Sequence, residues 1–254
     1  MSRFTNSSQV EFEAGRFHTA IQFSQYAVSQ NDEDADAWLV LGMSLIEISE
    51  WPDAIDALEN ASLLQPLDNL PRISLAIAYG AIGHRKLSRD LLMSVATSGT
   101  ADADELLKIA AGLEAIDQPR LAMEACRQAG KQTPDASEIH YKMGYYAQKC
   151  GHPNSVSEAL IRHAINLDPQ NIHYRIGFAS MLIRLGRQNE AITLVDHFIP
   201  AKLDEVTCAC CLKRIANLFF DSDDIERARM CAERIAKLSE SAQDSPRHSK
   251  TSAV

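Results

Sequence analysis

A small side chain returns every 34 residues through most of this chain, and that interval restricts the fold more than any other feature. One ladder runs Ala20, Ala54, Ser88, Ala122, Ser157, Ala191, Ala228, and a second runs Ala27, Ala61, Val95, Ala129, Ala164, Phe198, Ile235. The step is 34 residues in four of the six intervals; it widens to 35 across His152–Pro153–Asn154 and to 37 before the last rung. Both ladders shift together at each place, as expected if insertions fall in loops between repeated units.

The two ladders stand seven residues apart, so their members share one face of a helix. Small side chains there let a second helix press closely on its neighbours. Five residues after the second ladder comes a helix stop, with Pro66, Pro134 and Pro169 at equivalent sites and Asp32 and Thr100 elsewhere. Proline lacks the N–H that would continue the helix. About five residues before the first ladder stand Gly15, Gly83, Gly151 and Gly186, with Asp117 and Asp223 in the same register. These are positions for the left-handed cap that ends a preceding helix. The chain thus reads as seven helix–turn–helix units, at about 1–34, 35–68, 69–102, 103–136, 137–171, 172–208 and 209–238. The first has a poor opening helix.

The second unit carries Trp38, Leu41, Gly42, Leu45, Ala54, Leu58, Ala61 and Pro66. This resembles the tetratricopeptide repeat (TPR) signature, with Leu45 in place of the usual tyrosine. The third unit keeps Leu75, Ala76 and Tyr79, the fifth keeps Met143, Gly144, Ala164 and Pro169, and the seventh is recognised mainly by Ala228. The resemblance implies an all-α, right-handed α-solenoid of about seven helix–turn–helix repeats over residues 1–238. Each pair has an apolar face that it cannot bury alone, so stacking makes the array stable. Helix 224–238 carries Glu226, Arg227, Arg229, Glu233, Arg234 and Lys237 around a narrow apolar stripe, as a terminal cap does. Residues 239–254 are polar and are expected to be disordered.

Composition supports helices: Ala and Leu are abundant, and only 6 % of the 254 residues are aromatic. With 46 % apolar residues the chain can bury a substantial core. A formal charge of −9 argues against nucleic acid and anionic membrane as partners, because both require basic patches. There is no basic, then apolar, leader and no run of eighteen apolar residues, so the expectation is a cytoplasmic protein without membrane insertion. The six cysteines lie in helical stretches, which fits a reducing compartment better than a disulfide framework.

Catalytic motifs are not evident, and neither an enzyme activity nor a cofactor is expected. Gly130–Lys131 lacks the upstream glycine and following hydroxyl of a phosphate loop, and follows a helix instead of opening one. The eight histidines show no paired metal spacing, and no nucleophile elbow is present. One cluster stands out: Cys208, Cys210 and Cys211, with Cys231 one helix later and His197 one helix earlier. Cys208 and Cys211 on one helix face, with Cys231, could hold zinc and serve a metal or redox sensor. The plainer reading is core packing, since free cysteine behaves as a small hydrophobe.

In proteins that this chain resembles, first helices line a concave groove through positions two, five, six, nine, twelve and thirteen of each repeat. Carried over, these positions give an apolar strip of Leu39, Val40, Met43, Ile46, Ile73, Ile77 and Leu107, suited to a helix or extended peptide. Farther along they give Tyr141, Lys142, Tyr145, Lys149, His173, Arg184, Lys213 and Arg214, a local excess of base that would favour carboxylates. Packing of the tyrosines and simple solvation of the cations are the alternatives. Lys213 and Asn217 have the first spacing of the chaperone-type carboxylate clamp, but no repeats follow to complete it. The expectation is a non-catalytic scaffold or adaptor holding a segment of another protein. A dedicated chaperone that masks a client's hydrophobic segment is a second possibility implied by the resemblance.

Overall fold

The computed structural model describes residues 3–196, 203–204, 206 and 208–243. The described residues form fourteen helices and no strand. In chain order these are α1 (Arg3–Glu13), α2 (Phe17–Gln30), α3 (Ala35–Glu47), α4 (Trp51–Leu64), α5 (Asn69–Ala81), α6 (Arg85–Thr97) and α7 (Ala103–Ala115). They continue with α8 (Pro119–Gln132), α9 (Ser137–Lys149), α10 (Asn154–Leu167), α11 (Ile172–Arg184), α12 (Gln188–Val195), α13 (Ala209–Asp221) and α14 (Ile225–Gln243). Residues 239–243 of the segment expected to be disordered are therefore helical. The Phe198 rung lies outside the described residues.

Local chemistry sets the helix ends. Asp34 caps α3 by accepting from the Ala37 N–H, and Asp102 forms a reciprocal capping box with Glu105 at the start of α7. Pro52 and Pro119 occupy first-turn sites of α4 and α8, where a missing N–H costs nothing. Pro66, Pro134 and Pro169 fall in the loops after α4, α8 and α10. All six turn positions named from the sequence have positive φ, from 62° at Asp117 and Asp223 to 91° at Gly83. Ser49 joins them at 62°, 34 residues from both Gly15 and Gly83, so the turns keep the interval of the ladders.

The ladders are contact points. Ala20, Ala54, Ser88, Ala122, Ser157 and Ala191 are all 0 % exposed, as are Ala61, Val95, Ala129 and Ala164. In the last pair the rungs loosen, and Ala228 and Ile235 are partly exposed. Gly42 shows how close the helices come: a Cβ on it would sit 2.6 Å from Leu58 Cγ and 3.2 Å from the Leu58 backbone nitrogen. The weak opening helix α1 buries Thr5 and Ser8 instead of large apolar side chains. Thr5 Oγ1 donates to Asp34 Oδ2 at 2.6 Å and so ties α1 to the cap of α3.

The chain divides into two compact units, Met1–Asn154 and Ser155–Val254. The first holds α1 to α9, with a core that includes Ile21, Leu41, Leu45, Leu58, Leu75, Leu92, Ile109 and Tyr146. The second holds all but the first residue of α10, together with α11 to α14, around Ile161, Ile176, Phe178, Leu182, Leu212 and Phe219. No described helix is long and apolar enough to cross a membrane.

Two outcomes follow from these contacts. Ser49 holds a left-handed conformation that costs a non-glycine residue about 1–2 kcal/mol, partly offset by the extra unfolded-state entropy of glycine. Ser49→Gly should raise the urea-unfolding free energy by about 0.5–1 kcal/mol. The Ser88 hydroxyl is buried without a hydrogen-bond partner. Ser88→Ala should be stabilising or neutral within about 1 kcal/mol, although it deletes a buried atom, and a larger loss in the same assay would refute this account of the rung.

Candidate functional site

The groove-facing positions divide into buried and open sets. Val40 and Ile73, assigned to the groove from the sequence, belong to the core: Val40 is 5 % and Ile73 0 % exposed, so neither can meet a partner. Alternate faces of α3 and α5 are both covered, because each helix packs against its own second helix and against the next pair. Leu39, Met43 and Ile46 are half-buried against Ile55, Leu58, Leu75, Ala78 and Tyr79. Ile77 is also half-buried; a Cβ on Gly112 of α7 would lie 3.2 Å from its Cγ1. The apolar strip is thus largely an inter-helix seam.

An open cleft of about 290 Å³ lies between α7 and α9. It is lined by Asp104, Leu107, Lys108 and Ala111 from α7 and by Glu138 and Lys142 from α9. These fall at positions two, five, six and nine of one repeat and two and six of the next, the positions assigned to the groove. Leu107 and Lys142 were named from the sequence; Asp104, Lys108, Ala111 and Glu138 were not, although the same positional rule reaches them. The apolar surface of half-buried Leu107 and exposed Ala111 is flanked by both signs of charge. Lys142 Nζ stands 3.4 Å from Glu138 one turn earlier, which partly neutralises it.

Farther along the same two helices Glu114 collects three donors. Tyr145 Oη donates to Oε1 at 2.6 Å, Lys149 Nζ to Oε1 at 2.7 Å, and Tyr146 Oη to Oε2 at 3.1 Å. The ammonium of Lys149 also lies 4.9 Å from the Tyr145 ring centroid. Burial alone would raise the Glu114 pKa, but the hydrogen bonds from Lys149 and the tyrosines hold it below the ordinary carboxylate value. Hydrogen bonds to Glu114 and Tyr145 raise the Lys149 pKa, and the larger displacement falls on the lysine because desolvation offsets much of the gain at Glu114. Tyr146 is 1 % exposed and packs in the core, whereas Tyr145 is 36 % exposed and half-buried Tyr141 lies one turn before it. The expected basic stretch is therefore largely compensated here: Lys142 and Lys149 each face a glutamate.

The remaining basic positions are on the second unit. His173 and Arg184 are exposed on α11, and Lys213 and Arg214 are exposed on α13. The cysteine cluster also differs from expectation. Cys208, Cys210 and Cys211 lie together, with all three sulfurs within 4.8 Å of one another, while Cys231 is fully buried apart from them. His197 lies outside the described residues. Burial pushes the Cys126 thiol up to about 12 and Cys231 up to about 11, as the packing reading of buried cysteine requires. Burial would also raise Cys208, but hydrogen bonds from the thiols and backbone N–H groups of Cys210 and Cys211 hold it below the usual thiol range.

No family model matches the chain, and no curated protein matches it. Solved structures do. A crystal structure of MamA aligns with 67 % of this chain and 96 % of its own at 18 % identity and a TM-score of 0.56. MamA from Desulfovibrio magneticus RS-1, residues 41 to its end, aligns with 66 % of this chain and 94 % of its own at 16 % identity and a TM-score of 0.57. YrrB, described as a TPR protein with an unusual peptide-binding site, aligns with 67 % of this chain and 88 % of its own at 15 % identity and a TM-score of 0.56. The fold is that of TPR proteins.

The Glu114 node has a pH signature. A carboxylate whose folded pKa is depressed contributes stability fully above its unfolded value, ordinarily 4.5, and loses it as pH falls through the folded value. Glu114→Gln should cost about 1 kcal/mol at neutral pH, a value discounted for the group's partial exposure. The gap from the parent protein should close as the pH drops below 4.5 in parallel urea titrations; a gap independent of pH would show that the charge is not what matters.

Proposed function

We propose that this chain is a non-catalytic scaffold that holds a segment of another protein along the first helices α7 and α9. The single observation that carries this reading is the cleft lined by Asp104, Leu107, Lys108, Ala111, Glu138 and Lys142. A flat or filled surface at these positions would offer nothing to an incoming chain. Here an apolar floor gives an anchoring side chain a place to lose water, and charges of both signs at the rim can pair with an extended or helical segment. Rigid helices hold the lining in place, so little order is gained or lost in the scaffold when a segment docks. That YrrB, with the same fold, has a peptide-binding site supports the reading without specifying the occupant.

The occupant consistent with this lining carries one medium-sized apolar side chain between flanking charges. Lys108 is exposed and can meet a carboxylate, while Asp104 and Glu138 can meet a lysine or arginine on the same segment. A chaperone role would use the same cleft and differ only in what happens to the client.

A photo-crosslinking residue at exposed Ala111 should label one partner segment in cells, whereas the same residue at exposed Lys131 on α8 should not. Leu107→Asp or Lys108→Glu should weaken binding of that segment at least about fivefold, which corresponds to about 1 kcal/mol, with helical circular dichroism unchanged. Equal labelling from both positions, or binding indifferent to both substitutions, would remove the cleft from consideration.

A further inference from the structure

We propose that Cys208, Cys210 and Cys211 form a binding site for one soft thiophilic cation of the class of Zn(II) or Cu(I). The three sulfurs already lie within 4.8 Å of one another, and Cys208 Sγ is 2.8 Å from Cys210 Sγ. Metal–sulfur bonds of about 2.3 Å in tetrahedral geometry place sulfurs about 3.8 Å apart, so side-chain rotation alone can complete the set.

The convergence comes from helix-cap geometry. Cys208 is the N-cap of α13, with φ −92° and ψ 107°, an extended conformation that directs a side chain over the first turn. Cys210 and Cys211 are the second and third residues of that turn, so all three thiols gather at one helix end. The partial positive charge of that helix end favours thiolate at Cys208, whereas burial pushes the Cys211 thiol up to about 12, so a bound cation must displace its proton. Access differs from that of the packed cysteines: Cys210 is exposed and Cys208 and Cys211 are half-buried, whereas Cys126 and Cys231 are fully buried. Core packing does not explain an exposed thiol between two half-buried ones.

Donor type selects the ion. Three thiolates favour soft ions over Mg(II) or Ca(II), which require oxygen ligands. Three thiolates around Zn(II) have a net charge of −1, and around Cu(I) −2. Lys213 and Arg214 follow Cys210 by three and four residues, placing their exposed cations one turn along the same side of α13. That proximity offsets the surplus charge and gives these two basic residues a role that the α7–α9 cleft does not. On binding, three S–H bonds break, three metal–sulfur bonds form, and three protons pass to solvent; no oxidant or reductant is required. Exposed Cys210 leaves the fourth position of a tetrahedral ion open to water.

The test uses the full chain, reduced and handled anaerobically, with Cd(II) or Zn(II) alone as the probe. Expected are one ion per chain, a thiolate-to-metal charge-transfer band in the ultraviolet with Cd(II), and proton release on titration. Cys210→Ser, at an exposed site, should keep the helical circular dichroism and lower Zn(II) affinity by more than the roughly 10- to 100-fold that loss of a mere supporting residue costs. Cys231→Ala should bind like the parent. Absence of the band, unchanged affinity in Cys210→Ser, or half an ion per chain with dimer formation would each overturn the site. Partner crosslinking at Ala111 reads a different unit, so the two proposals stand or fall separately.

Discussion

The close approach of helices at alanine-sized rungs is the contact on which the rest of this structure depends. A rung such as Ala54 or Ala122 has no exposed surface at all, and Gly42 has no room for even one added carbon against Leu58. Interaxial spacing falls where side chains are small, and only then can the larger neighbours Leu41, Leu45 and Leu58 reach across and exclude water. Within the first unit, where successive pairs repeat the arrangement, the face that one pair leaves bare is the face that the next covers. Stability is thus a sum of neighbour contacts rather than the product of one central core.

Polar ties follow the same nearest-neighbour logic. Thr5 bonds Asp34, Asn69 bonds Glu105, Tyr145 and Lys149 bond Glu114, and Arg187 bonds Glu158, each across 29 to 36 residues. That distance is one repeat. Such ties join first helix to first helix, or in the Arg187–Glu158 case second helix to second helix, and where they involve Glu114 they also consume charge that would otherwise face a partner. The acidic chain therefore has a less basic candidate surface than its lysines suggest. The Glu114 node joins one residue of one repeat to three of the next, so no single segment announces it.

Much of the architecture was legible before any coordinates. Period, helix stops and turn residues agreed because each reports the same backbone demand: Gly15, Gly83, Gly151 and Gly186 fill left-handed positions, and Asp117 and Asp223 are tolerated there. Ser49 was passed over because serine carries no turn signal strong enough to notice, yet the interval alone reaches it. The groove was read less well. Val40 and Ile73 occupy groove positions by count but are buried, since a positional rule cannot register which neighbours cover a given helix. At α7 and α9 the same rule succeeded, because there the two first helices leave a gap.

The sequence by itself determined where helices and turns fall and which small side chains stand at helix contacts, all of which arise from interactions within about one turn or at a fixed interval along the chain. Tertiary structure alone decided that Lys149 meets Glu114, that Cys231 stands apart from the other three cysteines, and where first helices separate enough to admit a guest. Local backbone preference is written residue by residue, whereas the distance between two side chains on different helices depends on how every intervening contact packs.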